Sequence, residues 1–169
     1  DIAIANLPTK KDVYKITTWT ALALKSRFCL FEGTFRKYHS ITKYDNGADY
    51  YLSLAAAASY DFITKSGYTI ASDPGDPEKN YRSLFTSMNA RNTEVILARD
   101  YNAELGLTHS SGNSFNSATM GRYGMNKKVV ASYLMKDGSR FTDIPGWDTM
   151  TFMDEVKDRD PRLAQSIIT

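Results

Sequence analysis

The chain has 169 residues, 42% of them hydrophobic, with 21 basic and 19 acidic side chains and a formal net charge of +2. That length suffices for one domain with a real core, and charges spread along the whole chain argue against a nucleic-acid or anionic-membrane surface, both of which need a clustered basic face. No apolar run approaches the roughly 20 residues that span a bilayer, and the lone cysteine, Cys29, rules out an internal disulfide.

In chain order, Asp1 to Lys15 mix apolar and charged residues around Pro8 and read as an incoming connector. The chain opens without an initiator methionine or a signal sequence and closes on Ile167, Ile168 and Thr169, so a piece of a larger polypeptide is expected, with a helix interrupted at its end. Ala21 to Gly33 reads ALALKSRFCLFEG. Ala21, Leu24, Phe28 and Phe31 recur at helical spacing, Thr17 or Thr18 can cap the start, and Gly33 suits a helix end. A buried apolar face is expected there, with Cys29 as a small buried hydrophobe. Truncating Phe28 to alanine should then cost about 3–5 kcal/mol.

A linker from Thr34 to Ala48 leads to a second helix, Asp49 to Lys65, with Leu52, Ala55, Ala56, Ser59, Phe62 and Ile63 on one face and Gly67 at its end. The run Ala55 to Ala58 lets another helix come close. The two helices read as a hairpin of the tetratricopeptide kind. Gly67 to Ile70 is extended, and Asp73-Pro-Gly-Asp-Pro is turn chemistry that ends with Asp76 as a cap and Pro77 in the first turn of a helix to Met88, with Tyr81, Leu84, Phe85 and Met88 on one face. Glu94 to Arg99, centred on Val95 to Ala98, suits a strand.

Between Gly106 and Gly124 the chain turns rich in Gly, Ser, Asn and Thr, a loop long enough to carry function. Asn126 then caps a short helix bearing Val129, Val130 and Tyr133, and Asp137-Gly138 is a turn. Ile144 to Met153 is irregular, and Asp160-Pro161 opens a helix that runs to the end of the chain.

Catalysis needs a nucleophile with a base, a carboxylate pair or a metal cluster. His39 and His109 have no neighbouring ligand residues at metal spacing. Asp154, Glu155, Asp158 and Asp160 could supply an acid and a base for glycoside cleavage, but Arg159 and Arg162 interleave with them, and capping with ion pairing accounts for that mixture better. The glycines at 106, 112, 121 and 124 form no phosphate loop, and no cofactor site is read. Sugars present hydroxyls in fixed directions and apolar C–H faces, so flat rings and amide side chains suit them. His109, Asn113, Phe115, Asn116, Tyr123 and Trp147 are the candidate ligand-binding residues.

Four stretches together resemble the SusD/RagB-like family: ALALKSRFCLFEG at 21–33, YRSLF and TEVILARDYN at 81–85 and 93–102, VVASYLMKDG at 129–138 and RDPRLAQSI at 159–167. Ala23, Leu24, Arg27, Leu30, Glu32 and Gly33 match the family's ALxxRxxLxEG helix, Tyr133, Asp137 and Gly138 its Y…DG element, and Arg159 to Leu163 its RDPRL, the most specific of these. The resemblance spans Thr17 to Ile167. The chain departs from the family in having Met125 and Asn126 for Pro-Thr, Ala131 for an acidic residue, and Asp158 where Asn is frequent.

The resemblance implies a mainly α fold of tetratricopeptide-like hairpins with a loop-rich ligand-binding part and few short strands. It divides the chain into a helical scaffold at 1–105 and a loop-rich portion at 106–169, both truncated parts of one domain. It also implies a binding protein rather than an enzyme, capturing glycans, or peptides, at the outer-membrane surface for a SusC-like TonB-dependent transporter. A lipid anchor outside this chain would hold it there, and Arg159 and Arg162 would be structural, pairing acids and capping carbonyls. The alternative from another class is a helical-repeat adaptor that binds a protein partner and no small molecule.

Overall fold

The chain was described as a computed structural model, which covers residues 1–40, 46–72, 76, 78–90, 93–119 and 124–167. Among the described residues it is mainly helical, as expected, and has no sheet. Three isolated antiparallel bridges are its strand-like contacts among the described residues: Asn102 with Leu107, Leu134 with Arg140, and Met135 with Arg159. Glu94 lies in a bend and Val95 to Arg99 form neither helix nor strand, so the expected strand is absent. The Ala98 N–H donates to the Val13 carbonyl at 2.8 Å and the Thr69 N–H to the Thr93 carbonyl at 3.3 Å, and no ladder grows from either bond. An apolar run can specify extension, but a strand also needs a neighbour in register. The chain divides into two compact units, Asp1–Ile70 with Asn89–Asp100, and Ala71–Met88 with Tyr101–Thr169.

In the first unit, a short helix α1 (Ile2–Asn6) precedes α2 (Thr18–Tyr38) and α3 (Ala48–Lys65). The start of α2 is set by a reciprocal cap in which the Thr17 hydroxyl accepts from the Thr20 N–H and the Thr20 hydroxyl from the Thr17 N–H. The incoming connector is tied to this helix: the Thr18 hydroxyl donates to the Leu7 carbonyl at 2.8 Å and the Trp19 indole to the Thr9 carbonyl at 2.7 Å.

Two expectations about α2 are corrected. It does not stop at Gly33 but runs on to Tyr38, leaving only 39–47 between the helices. An added Cβ at Gly33 would lie 2.8 Å from Leu52 Cγ and 3.0 Å from the Leu52 backbone nitrogen, so this glycine serves close backbone approach rather than termination. The buried strip is Thr18, Leu22, Cys29, Gly33 and Arg36. Leu24, Phe28 and Phe31 are 66%, 58% and 64% exposed. Large rings cannot enter a seam in which Ala55 and Ala58 of α3 are the buried residues.

Across that seam the Ser26 and Ser59 hydroxyls meet at 2.6 Å. Arg36 is buried; it pairs with Glu32 at 2.7 Å, donates to the Asn46 carbonyl at 2.8 Å and lies 4.7 Å from the Tyr51 ring centre. On α3, Ala56 and Ile63 face outward, against expectation, whereas Cys29 is buried as expected. The helix ends at Gly67, as expected, with Ser66 as its C-cap and Gly67 at φ 67°.

The second unit is built from shorter pieces. Helix α4 spans Asn80–Thr86 rather than 77–88. Asp76 shapes the turn before it, accepting the Lys79 N–H and pairing with its ammonium, instead of capping; Pro77 lies outside the described residues. The expected apolar face fails, since Tyr81, Phe85 and Met88 are exposed. A helix α5 (Ser111–Asn116) interrupts the expected 106–124 loop. Helix α6 (Lys127–Ser132) begins as expected, with the Asn126 side chain accepting the Lys128 N–H.

The Asp137-Gly138 turn is also as expected, with the Ser139 N–H donating to Asp137 Oδ1 at 2.9 Å. A 3-10 turn, Phe141–Asp143, precedes the expected irregular stretch 144–153, within which a second 3-10 turn, Trp147–Thr149, forms and a short helix α7 (Phe152–Glu155) begins. In α8 (Pro161–Ser166), Asp160 caps the start, as expected, but the helix ends at Ser166, with Ile167 extended, instead of running on. Ala131, Phe141 and Leu163 are the buried apolar residues here.

Candidate functional site

A guanidinium carries several donors and no acceptor, so one buried arginine can gather several carbonyls. Arg159 does this in the second unit. It donates to the carbonyls of Val130 and Tyr133, each at 2.8 Å, and to that of Glu155, and its guanidinium carbon stands 3.8 Å from the centre of the Phe141 ring. The ends of α6 and α7 and the first 3-10 turn are thereby pinned to one side chain, itself only 6% exposed. Its Nε has no partner among the described residues. Burial pulls the Arg159 pKa below its usual value, with the Glu155 charge opposing the shift.

The chain reaches Arg159 through Asp158 in a left-handed conformation, φ 53°, a region that Asp and Asn tolerate better than most residues. Arg162 pairs with Asp160, whose carboxyl it holds below the usual carboxylate range. Both arginines thus cap carbonyls or pair an acid, as the resemblance implies.

On this frame sits a cavity of ≈ 330 Å³ lined by Lys128, Ser132, Arg140, Phe141, Thr142 and Trp147, among others. Gly146, at φ 76°, turns the chain so that Trp147 starts the second 3-10 turn. The half-buried indole then meets Phe141 edge-on, with ring centres 6.0 Å apart. Lys127 holds this turn by donating to the Asp148 carbonyl at 2.7 Å while pairing with Glu155 at 2.9 Å. The side chains of Lys128 and Arg140 make no ion pair among the described residues. The cavity therefore offers a ring face, two hydroxyls and two available cations.

Of the described candidate ligand-binding residues, Trp147 lines this cavity, and His109, Asn113, Phe115 and Asn116 do not. His109 lies edge-on to Tyr101, with ring centres 4.8 Å apart. Asn113, Phe115 and Asn116 are on α5, where the Asn113 carbonyl accepts the Ser117 N–H and Phe115 is 72% exposed. Tyr123 lies outside the described residues. Sequence reasoning passed over Lys128, Ser132, Arg140 and Thr142. The available signal was the Asp137-Gly138 turn, which folds Arg140 back opposite Leu134, close in sequence to α6.

Three acids of the cluster, Asp154, Glu155 and Asp160, are engaged in capping and pairing. Asp154 accepts the Thr151 hydroxyl at 2.7 Å, Glu155 pairs with Lys127, and Asp160 pairs with Arg162. His39 stacks on Phe35. Among the described residues, no group of three His, Cys, Asp or Glu side chains could hold a metal ion, and no helix is long and apolar enough to cross a membrane.

A sequence model of the SusD family matches residues 82–169, just over half of the chain. Comparisons with curated proteins and with solved structures return no match. The chain belongs to the SusD family, whose general role is the binding of nutrients, glycans among them, at the cell surface. Its members are binding proteins, not enzymes. The cavity lies wholly within the matched residues, whereas the stretch at 21–33 lies outside them.

Proposed function

We propose that this chain captures an oligosaccharide at the Trp147 cavity and delivers it, without catalysis, to a SusC-like TonB-dependent transporter in the outer membrane. A lipid anchor outside this chain holds it at the cell surface. Family membership supports the general role. The observation that carries the ligand assignment is the half-buried Trp147 ring beside the hydroxyls of Ser132 and Thr142 in one cavity. A ring face takes the C–H side of a sugar while hydroxyls and cations take its oxygens. His109, Asn113, Phe115 and Asn116, with Tyr123, form a further contact region for a longer ligand.

Replacing Trp147 with alanine tests this. Glycan affinity should fall about ten-fold or more while the thermal melt keeps its cooperativity. Unchanged affinity removes Trp147 from the site. Retained binding of peptides with no glycan binding would reassign the ligand to a peptide.

The adaptor reading is favoured by one observation, the exposed Leu24, Phe28 and Phe31 on α2. It predicts a protein partner lost on Phe31→Asp, and no glycan binding at all.

A further inference from the structure

We infer that the Trp147 cavity selects an anionic saccharide, one whose terminal unit carries a carboxylate or a sulfate. The inference rests on the capture reading above and deepens it. The lining of the cavity contains two cations, Lys128 and Arg140, and no carboxylate. Asp143 and Asp148, the acids of the two 3-10 turns, are not part of that lining.

Three other nearby acids are already engaged. Glu155 pairs with Lys127, Asp160 with Arg162, and Asp154 accepts the Thr151 hydroxyl. Behind the Phe141 ring that lines the cavity stands Arg159, a buried cation whose hydrogen-bond partners are carbonyls. The lining itself therefore carries positive charge and no negative charge, whereas the chain as a whole is nearly balanced at +2.

A planar guanidinium matches a carboxylate or sulfate with two parallel bonds, and such charge-assisted bonds are about twice as strong as neutral ones. Trp147 supplies the ring face, Thr142 a neutral donor and Ser132, whose hydroxyl proton goes to the Val129 carbonyl at 2.7 Å, an acceptor, so charge is what an acidic sugar adds. At ≈ 330 Å³ the cavity is at the small end of ligand sites, suited to a terminal unit rather than a long chain. Lys128 and Arg140 are exposed, so the preference must be screened by salt.

The experiment is a glycan array, run on the full polypeptide, that pairs neutral oligosaccharides with their uronate and sulfate counterparts. Titrations of a galacturonate trimer and its methyl ester follow. The acidic member should bind about ten-fold more tightly, and the preference should vanish in Lys128→Gln/Arg140→Gln and fade between about 50 and about 500 mM salt. The salt series on the unaltered chain gives this readout even if the double variant folds poorly. Equal binding of neutral and acidic partners, or a preference indifferent to salt, overturns the inference and leaves the capture reading standing. Binding of no glycan of either kind overturns the capture reading and the inference with it.

Discussion

At Gly33 the backbone of α2 comes down on Leu52, and two serine hydroxyls meet across the seam with α3. Around Arg159 the second unit is held differently; three carbonyls, two at the end of α6 and one at the end of α7, converge on one guanidinium. The first unit is thus held by shape, through small residues distributed along two long helices. The second depends on a polar hub supporting pieces of four to seven residues, each too short to be stable alone. Sensitivity to substitution should follow the same division, spread along the seam in one unit and concentrated at one residue in the other.

The sharpest way to break this contrast is Arg159→Ala. It removes a charged donor from three half-buried carbonyls, of which that of Val130 keeps the Tyr133 N–H, and should cost about 3–5 kcal/mol in a denaturant melt, with Arg159→Lys rescuing little because one ammonium cannot span three acceptors. A loss under about 1 kcal/mol would deny Arg159 its role as hub. Next is Gly33→Leu, whose added atoms meet Leu52 backbone as well as side chain; about 3 kcal/mol is expected. Gly33→Ala should cost less, because alanine's helix preference returns about 1 kcal/mol.

Phe28→Ala should cost under about 1 kcal/mol, since the ring is 58% exposed, in place of the about 3–5 kcal/mol that a buried ring would give. A large loss would restore the apolar face expected from spacing. The smallest effect concerns Asp160, whose folded pKa is depressed by Arg162. A depressed carboxyl contributes stability above its unfolded pKa of about 3.9 and loses it as pH falls through the lower folded value. Asp160→Asn should therefore flatten part of the acid limb of a stability profile below about pH 4.

These outcomes bear on what could be read without coordinates. The caps at Asn126 and Asp160 and the turn at Asp137 were legible because each is a bond to a backbone N–H two residues on. The buried face of α2 was not. Leu24, Phe28 and Phe31 have helical spacing, but which side a helix buries is decided by its partner, and Ala55 and Ala58 on α3 called for Cys29 and Gly33. Arg159 was legible as structural through its motif, yet its acceptors lie up to 29 residues away and only the fold reveals them. Trp147 was found from residue type alone, while Lys128 and Arg140 looked like ordinary surface charges until the 137–138 turn brought their segments together.

The enclosure of Arg159 has a practical corollary. Its bonds run to carbonyl dipoles inside the protein, where mobile ions do not penetrate, whereas Lys128 and Arg140 stand in solvent. Ordinary sodium chloride then becomes a selective reagent, weakening anion recognition in the second unit while leaving the architecture beneath it intact. An affinity column eluted with salt should return folded protein, ready to bind again on dilution.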